Sequence, residues 1–296
     1  MIFKPGKDRT LSPREFALSI GVSESSVKRW IDAGRVPARI TTGGHRRIDL
    51  VSALRFIRES RSQLIQPELL GFPDLCEGEL GDHAALAARI YEHLHAGRGQ
   101  ELSDLVIGAL VTRSIQPAEL FDGPIRIAMQ RIGELWTGGE EGIFIEHRAS
   151  QLLLGLLDQL DGLYTPPSED LIAVGGSIGG DPSSLPTRMA ATILATEGIY
   201  PVNLGSNTPA MAFLDAAEQT GAQLVWISVS YLEDVERQSA ELEELIDELA
   251  RRGLYCILGG REVHRLQLEL DGRAQIGDSM YELAKLGRQL FTGHRS

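Results

Sequence analysis

The feature that most constrains the fold is a regular alternation of apolar runs and helical segments over residues 170–291. Strands are predicted at five apolar runs, 170–176, 201–204, 224–229, 255–258 and 274–276. Helices are predicted between and after these runs, at 187–197, 210–220, 235–252 and 280–291. Because parallel strands need a crossover connection, which is usually a helix, this order predicts a Rossmann or flavodoxin-like parallel sheet. We expect a ligand beyond the carboxyl ends of its strands.

Residues 82–166 have a different pattern, in which apolar residues recur three and four positions apart. This spacing predicts four helices, at about 83–96, 100–114, 117–135 and 143–164. The connections between them are short, which is typical of a four-helix bundle. The fold class is therefore multidomain, with an α part and an α/β part.

The charge is distributed unevenly along the chain, whose net charge is −12. Residues 1–62 contain 13 Lys and Arg against 6 Asp and Glu, a net of +7, so the remainder carries −19. A basic module joined to an acidic body is typical of a nucleic-acid-binding domain attached to a domain with another role.

Two predicted helices and a basic hairpin occupy the basic region. Ser12 and Glu15 form a capping box at the start of the first helix, and Ser23 caps a second helix over 24–33. The second helix leaves polar and basic residues outside, namely Ser25, Lys28 and Arg29. The hairpin that follows turns at a Gly-Gly pair and carries four more such residues, Arg39, His45, Arg46 and Arg47. The arrangement predicts a winged helix-turn-helix DNA-binding domain over 1–64, followed by a Gly- and Pro-rich linker over 65–81.

The hairpin run from Arg39 to Arg47 resembles the wing of MerR-family transcriptional regulators. This resemblance implies a double-stranded DNA operator as a partner. MerR proteins of the usual kind dimerise through one long helix after the wing, and this chain has no heptad run there. We therefore expect a homo-oligomer to form through the remaining sensor domain.

A second resemblance starts from Trp136, which is separated by nine residues from Glu146-His147. This block is similar to the helical half of CarH-type light-responsive repressors, which bind cobalamin and carry a MerR-like head. The resemblance implies that Trp136 packs over the upper face of the cofactor and that Glu146 contacts the adenosyl group. It also implies that His147 can become an axial metal ligand. Each of these three residues, taken singly, has an ordinary structural explanation. Their combination with the domain order favours a role in cofactor binding.

The α/β region, 167–296, resembles a cobalamin-binding domain. Such domains carry Asp-x-His-x-x-Gly on the first loop, Ser-x-Leu or Ser-x-Thr after the third strand and Gly-Gly after the fourth. In this chain the second and third elements correspond to Ser228-Val229-Ser230 and Gly259-Gly260. The first loop keeps Asp181 but has Ser183 at the histidine position and Pro186 at the glycine position.

The serine at position 183 leaves three ligands open. A hydroxyl is a poor ligand for low-spin cobalt, whereas imidazole is a good one. The domain then binds cobalamin or another corrinoid without a lower protein ligand, or another tetrapyrrole such as the linear bilin biliverdin, or nothing.

The combined interpretation is a DNA-binding transcriptional repressor, responsive to light through a tetrapyrrole and without catalytic residues. The alternatives are a ligand-free regulator controlled by an antagonist protein and a corrinoid-carrier module of an enzyme system. The two cysteines, Cys76 and Cys256, are far apart, and there is no signal-like segment or apolar run of membrane-spanning length. We therefore expect a cytoplasmic protein without a membrane partner.

Overall fold

A computed structural model describes residues 9–72, 82–135, 140–164, 166 and 169–293. The chain divides into two compact units, Met1–Leu163 and Tyr164–Ser296. None of the helices in these described ranges is long and apolar enough to cross a bilayer.

The first unit begins with a small α/β region. Its elements are β1 (Thr10–Leu11), α1 (Pro13–Ser19), α2 (Glu24–Asp32), β2 (Arg39–Ile40), β3 (Arg46–Asp49) and α3 (Leu50–Ser60). The strands form an antiparallel sheet in the order β1-β3-β2. The helices and the hairpin lie where the sequence predicts them.

Local capping explains why α1 begins where it does. The Ser12 N–H donates to Glu15 Oε2 (2.7 Å), and the Glu15 N–H donates to Ser12 Oγ (3.2 Å). The hydrogen bond from the Ser12 backbone holds the pKa of Glu15 below its ordinary value. Behind the cap, Phe16 packs edge-to-face on Phe56 of α3, so the same helix start orients a core aromatic residue.

The described part of the predicted linker is not a free segment. The N–H groups of Ile65 and Gln66 both donate to the Ser19 carbonyl at the end of α1, at 2.7 and 3.1 Å. A 3₁₀ turn follows at Pro67–Leu70, and both Leu70 and Phe72 are buried. Residues 65–72 therefore belong to the packed N-terminal region, while the rest of the predicted linker, 73–81, lies outside the described residues.

A helical bundle forms the rest of the first unit. Its helices are α4 (His83–Ala96), α5 (Gly99–Val111), α6 (Pro117–Leu120), α7 (Arg126–Glu134) and α8 (Glu140–Tyr164). The third predicted helix is interrupted by a π-helical turn, Phe121–Ile125, which contains Pro124. Proline has no N–H and displaces the carbonyl one turn earlier, so a regular α-helix cannot continue through it.

The second unit is the predicted α/β domain. Its elements are β4 (Ile172–Ser177), α9 (Leu185–Thr196), β5 (Tyr200–Asn203), α10 (Ala210–Thr220), β6 (Leu224–Ser228), α11 (Val235–Arg251), β7 (Tyr255–Gly259), a 3₁₀ turn (Val263–Arg265), β8 (Gln275–Ile276) and α12 (Met280–Gly293). All strands are parallel, in the order β5-β4-β6-β7-β8. This is the flavodoxin-like order, and the predicted parallel sheet is confirmed.

Strand β6 runs through the centre of the core, and every residue in it is buried. Val225 and Ile227 belong to the apolar core that includes Phe213 and Leu245. Trp226 points to the opposite face, where its indole N–H donates to Thr187 Oγ1 of α9 (3.0 Å). The strand period of two thus sends Trp226 to one side of the sheet and Val225 and Ile227 to the other. In the core on the Val225 side, burial raises the pKa of Cys256 to about 12, which keeps that thiol protonated.

The packing of Trp226 against β4 requires a glycine at position 175. A Cβ at position 175 would lie 2.1 Å from the indole Cδ2 and 2.3 Å from the Trp226 carbonyl oxygen. We expect Gly175→Ala to destabilise the chain by about 3 kcal/mol, because backbone as well as side chain must move. Urea unfolding followed by circular dichroism measures this.

The matched control is Gly179→Ala, whose Cβ would lie 3.8 Å from the nearest atom. It should change the free energy of unfolding by less than about 0.5 kcal/mol. Equal stability of the two variants would contradict the packing of Trp226 on Gly175.

Candidate functional site

Two loops at the carboxyl edge of the sheet meet at a buried carboxylate, Asp181. The residue is fully buried. Its Oδ1 accepts from the Ser183 N–H (2.8 Å), and its Oδ2 accepts from the Ser230 N–H (2.6 Å). These charge-assisted hydrogen bonds offset the cost of burying the carboxylate. Asp181 therefore joins the loop after β4 to the loop after β6.

The loop after β7 joins the same network through Gly259 and Gly260. The Val229 N–H donates to the Gly259 carbonyl (2.8 Å). Gly260 has a φ of +104°, and a Cβ there would lie 2.3 Å from the Val229 carbonyl oxygen. Both the positive φ and this close approach to the Val229 carbonyl require a glycine at position 260. The fold thus brings together the three sequence elements predicted to share a site, through the hydrogen bonds from Ser230 to Asp181 and from Val229 to Gly259.

Ser183 and Pro186 have local structural roles. The Ser177 hydroxyl donates to the Ser183 carbonyl (2.6 Å), which closes the first loop onto the end of β4. Pro186 lies in the first turn of α9, where a missing N–H costs no hydrogen bond. The two departures from the cobalamin-domain pattern thus support a compact loop and helix start, and they supply no nitrogen ligand.

A cleft of about 900 Å³ opens beside this network. Its volume is within the range of small-molecule sites. Its walls come from the loops after the first three strands, from the start of α10 and from α11. They are formed by Gly179, Gly180, Pro182, Asn207, Pro209, Ala210, Met211, Tyr231, Glu233, Arg237, Glu241 and Glu244. Sequence analysis missed the contribution of Asn207, Tyr231 and Arg237. For Asn207 and Tyr231, the position in loops that follow strands was a usable signal.

The floor of the cleft is rigid and its outer wall is acidic. Asn207 Oδ1 accepts from the Gly180 N–H (2.7 Å), and the Asn207 N–H donates to the Asp181 carbonyl (2.9 Å). On the wall, Arg237 lies 3.0 Å from Glu241 and 3.7 Å from Glu233. Arg237 is thus shared between these two carboxylates, and the wall carries a net negative charge.

The same edge offers a hydrogen-bond donor without a partner. Asn203 ends β5, and its Oδ1 accepts from the Gly205 N–H (2.9 Å). Its Nδ2 is buried and has no hydrogen-bond partner among the residues that the structure describes. An orphaned buried donor is costly, so this edge fits a ligand that carries amide or carbonyl acceptors.

In the first unit, Glu146 and His147 lie next to each other on α8. Glu146 Oε1 accepts from the Ser150 hydroxyl (2.9 Å), and its Oε2 lies 3.6 Å from His147 Nε2. The His147 side chain is 69% exposed. Phe144, one helical turn before His147, is also exposed, and sequence analysis did not select it. Trp136, the first residue of this predicted set, lies outside the described residues.

The residues predicted to contact DNA lie on α2 and the β2–β3 hairpin. Ser25, Lys28, Arg29, Arg39 and His45 are exposed. Several of the cations have carboxylate partners: Lys28 with Glu24 (2.7 Å), Arg39 with Asp49 (3.4 Å), Arg46 with Asp32 (2.6 Å) and Arg47 with Glu15 (3.9 Å). A phosphate would have to compete with these surface pairs, which are individually weak.

Comparison with known proteins supports a cobalamin-binding type of domain. Residues 86–161 match the family model of the B12 binding domain. Dimethylamine corrinoid protein 2 of Methanosarcina acetivorans is 21% identical over 209 residues, which cover 66% of this chain and 96% of that protein. Dimethylamine corrinoid protein 1 of Methanosarcina mazei gives the same identity and coverage.

A solved structure shows the same fold. The monomethylamine corrinoid protein of Methanosarcina barkeri superposes with a TM-score of 0.52 at 16% identity, covering 71% of this chain and all of that chain. The MerR-family and CarH-type resemblance has no counterpart in these matches and stays a prediction.

The Asp181 bridge can be tested by an isosteric change. Asp181→Asn places an amide N–H₂ against one of two backbone N–H donors and leaves that donor unsatisfied. We expect the second unit to lose about 3 kcal/mol of stability, and hydrogen exchange to rise at the Ser183 and Ser230 segments.

Asp215→Asn is the matched control, because Asp215 is exposed on α10. It should leave both the unfolding midpoint and the exchange of those two segments unchanged. Identical exchange in the two variants would show that Asp181 does not hold the loops together.

Proposed function

We propose that this chain binds a corrinoid at the carboxyl edge of its parallel sheet and acts as a corrinoid carrier. One observation carries the proposal: a B12-binding match over 86–161 precedes an α/β unit in which Asp181, Ser230 and Gly260 form one network. The similar proteins are corrinoid proteins, which favours the carrier alternative over the DNA-binding repressor.

The donor set fits a corrinoid in part. The orphaned Asn203 Nδ2 and the cleft beside the first loop suit an amide-bearing ligand, whereas Ser183 offers no nitrogen. In this proposal Tyr231 and Met211 supply apolar contact and the Asp181 network holds the loops in place. A bound corrinoid would supply a cobalt centre that carries a group, and the protein would bind, orient and shield it.

The proposal predicts that Tyr231 contributes to corrinoid affinity. Tyr231 lines the cleft and is 48% exposed. Tyr231→Ala should raise the Kd of the full chain for hydroxocobalamin about 10-fold, which corresponds to losing about 1.4 kcal/mol of contact. Titration followed by the cobalamin absorption spectrum measures this.

Tyr255→Ala is the matched control. Tyr255 is 47% exposed but begins β7 at the opposite, amino edge of the sheet. Its removal should leave the Kd unchanged. If hydroxocobalamin does not bind the full chain and biliverdin does, the bilin interpretation replaces the corrinoid one. If neither binds, the interpretation as a ligand-free regulator replaces the corrinoid one.

A second candidate function is DNA binding by the N-terminal region, which would make the corrinoid module a sensor. The supporting observation is a cationic surface that includes Lys28, Arg39 and Arg47, whose side chains are 50%, 76% and 44% exposed. Lys28 and Arg47, with Arg14 and Arg46, line a groove of about 530 Å³ between the start of α1, α2 and the hairpin. In addition, about a third of this chain is not covered by the corrinoid relatives.

The DNA interpretation predicts a salt-dependent loss in the double variant Arg46→Ala, Arg47→Ala. Each lost phosphate contact should lower the slope of log K against log salt by about 0.9. The measurement is a gel-shift or anisotropy titration with duplex DNA at several salt concentrations. Arg251→Ala with Arg265→Ala is the charge-matched control, since both side chains are 65% exposed in the second unit. An unchanged slope in the first variant would exclude the hairpin from a DNA interface.

A further inference from the structure

Helix α3 makes contacts on two opposite faces. Ala53 and Ile57 are buried on the face that packs into the core of the N-terminal region, residues 9–72. Phe56, at the edge of that face, packs on Trp30 of α2, with the ring centroids 4.8 Å apart. Because successive residues of a helix are turned by about 100°, Val51 and Arg55 lie on the opposite face. A contact made by that second face therefore bears on α2 through a single short helix.

The second face of α3 contacts the end of α8, and both helices belong to the first compact unit. Arg55 Nη2 donates to the carbonyl of Gly162, in the last turn of α8. A Cβ at position 162 would lie 3.4 Å from Val51 Cγ1, so the missing side chain lets the two helices approach. The last four carbonyls of a helix have no partner within it, and the helix dipole favours a cation there. Arg55 thus caps α8.

A matching contact runs in the other direction. Arg113 follows α5 of the bundle, and its Nη2 donates to the Arg58 carbonyl (3.0 Å) in the last turn of α3. The backbone of Arg113 has a φ of +60°, which is uncommon for a residue other than glycine. The N-terminal region and the bundle thus each cap the carboxyl end of a helix in the other with an arginine.

This pair of contacts is small and polar. Val51 is still 39% exposed, and Arg55 Nε is buried without a hydrogen-bond partner among the described residues. An unsatisfied buried donor is costly, and water would satisfy it if the two helices separated. Each region also has its own buried apolar core. The contact can therefore open without unfolding either region.

We infer that the two arginine caps, Arg55 on Gly162 and Arg113 on Arg58, form a latch through which α8 sets the position of α2. While the latch is closed, α2, α3 and α8 move as one body. When it opens, the N-terminal region is released from the bundle. His147 lies on the same helix, roughly 22 Å before Gly162 at 1.5 Å per residue, so the latch connects that part of α8 to the cationic surface. The inference goes beyond both proposed functions and depends on neither.

Double electron–electron resonance on the full chain tests whether the latch is closed in solution. Nitroxide labels are attached to Ser25→Cys on α2 and Glu92→Cys on α4, two exposed positions. The background is Cys76→Ser, and Cys256 does not react because it is buried. We expect one narrow distribution of distances between the two labels.

The double variant Arg55→Ala, Arg113→Ala should lose this narrow distribution and give a broad one. Circular dichroism should show it folded, because both cores are intact. Arg251→Ala with Arg265→Ala is the charge-matched control, since both side chains are 65% exposed in the second unit. It should keep the narrow distribution. A broad distribution before the arginines are changed, or a narrow one afterwards, would overturn the latch.

Hydrogen exchange tests whether α8 acts on the N-terminal region through the latch. Leu153 is buried in α8, and Leu153→Val removes one methylene from the bundle core, which should raise exchange along α8. With the latch arginines present, the rise should extend to α3. In the Arg55→Ala, Arg113→Ala background it should be confined to α8, because the two regions are then independent. The same response of α3 in both backgrounds would overturn the inference and leave corrinoid binding and DNA binding unaffected.

Discussion

The α/β unit depends on one buried carboxylate. Asp181 is fully excluded from solvent, and its two oxygens accept backbone N–H groups from two different loops. A buried charge is tolerated only when its hydrogen bonds are complete. This requirement holds the ends of β4 and β6 in register, and the loop after β7 is attached through Gly259, Gly260 and Arg261. The binding edge is therefore preorganised by the protein's own contacts.

The loss of the expected histidine at position 183 changes how this edge can work. The first loop is closed by Ser177 and Asp181, and Pro186 starts α9, so this segment has a structural role that needs no metal. Neither the Ser183 hydroxyl nor the side chains that line the neighbouring cleft include an imidazole.

The two units differ in electrostatics as well as in fold. The N-terminal region carries an excess of Arg and Lys, yet several of those cations are paired with nearby carboxylates. The cleft of the α/β unit has an acidic wall in which Arg237 is shared by glutamates. The N-terminal surface therefore keeps a positive balance of charge and the cleft wall of the α/β unit a negative one.

The sequence by itself determined the element types and the sheet class, because strand and helix periods are local properties of side-chain spacing. The alternation over 170–291 predicts the observed parallel sheet, with strand bounds that move by at most two residues. The Ser12–Glu15 capping box is likewise local and forms as expected. The resemblance to a cobalamin-binding domain also pointed to Asp181, Ser230 and Gly260, which lie in loops that follow three of the predicted strands.

Tertiary structure alone decided which loops meet. The bridge from Asp181 to Ser230 spans 49 positions in the chain, and the cleft joins Asn207 and Tyr231 to the first loop. The packing of Trp226 on Gly175 and the pairing of His264 with Asp278 are equally non-local. Local spacing cannot encode these contacts, because they depend on strand order and on the register between strands. The order β5-β4-β6-β7-β8 places the loops after β5, β4 and β6 side by side, where they form the cleft.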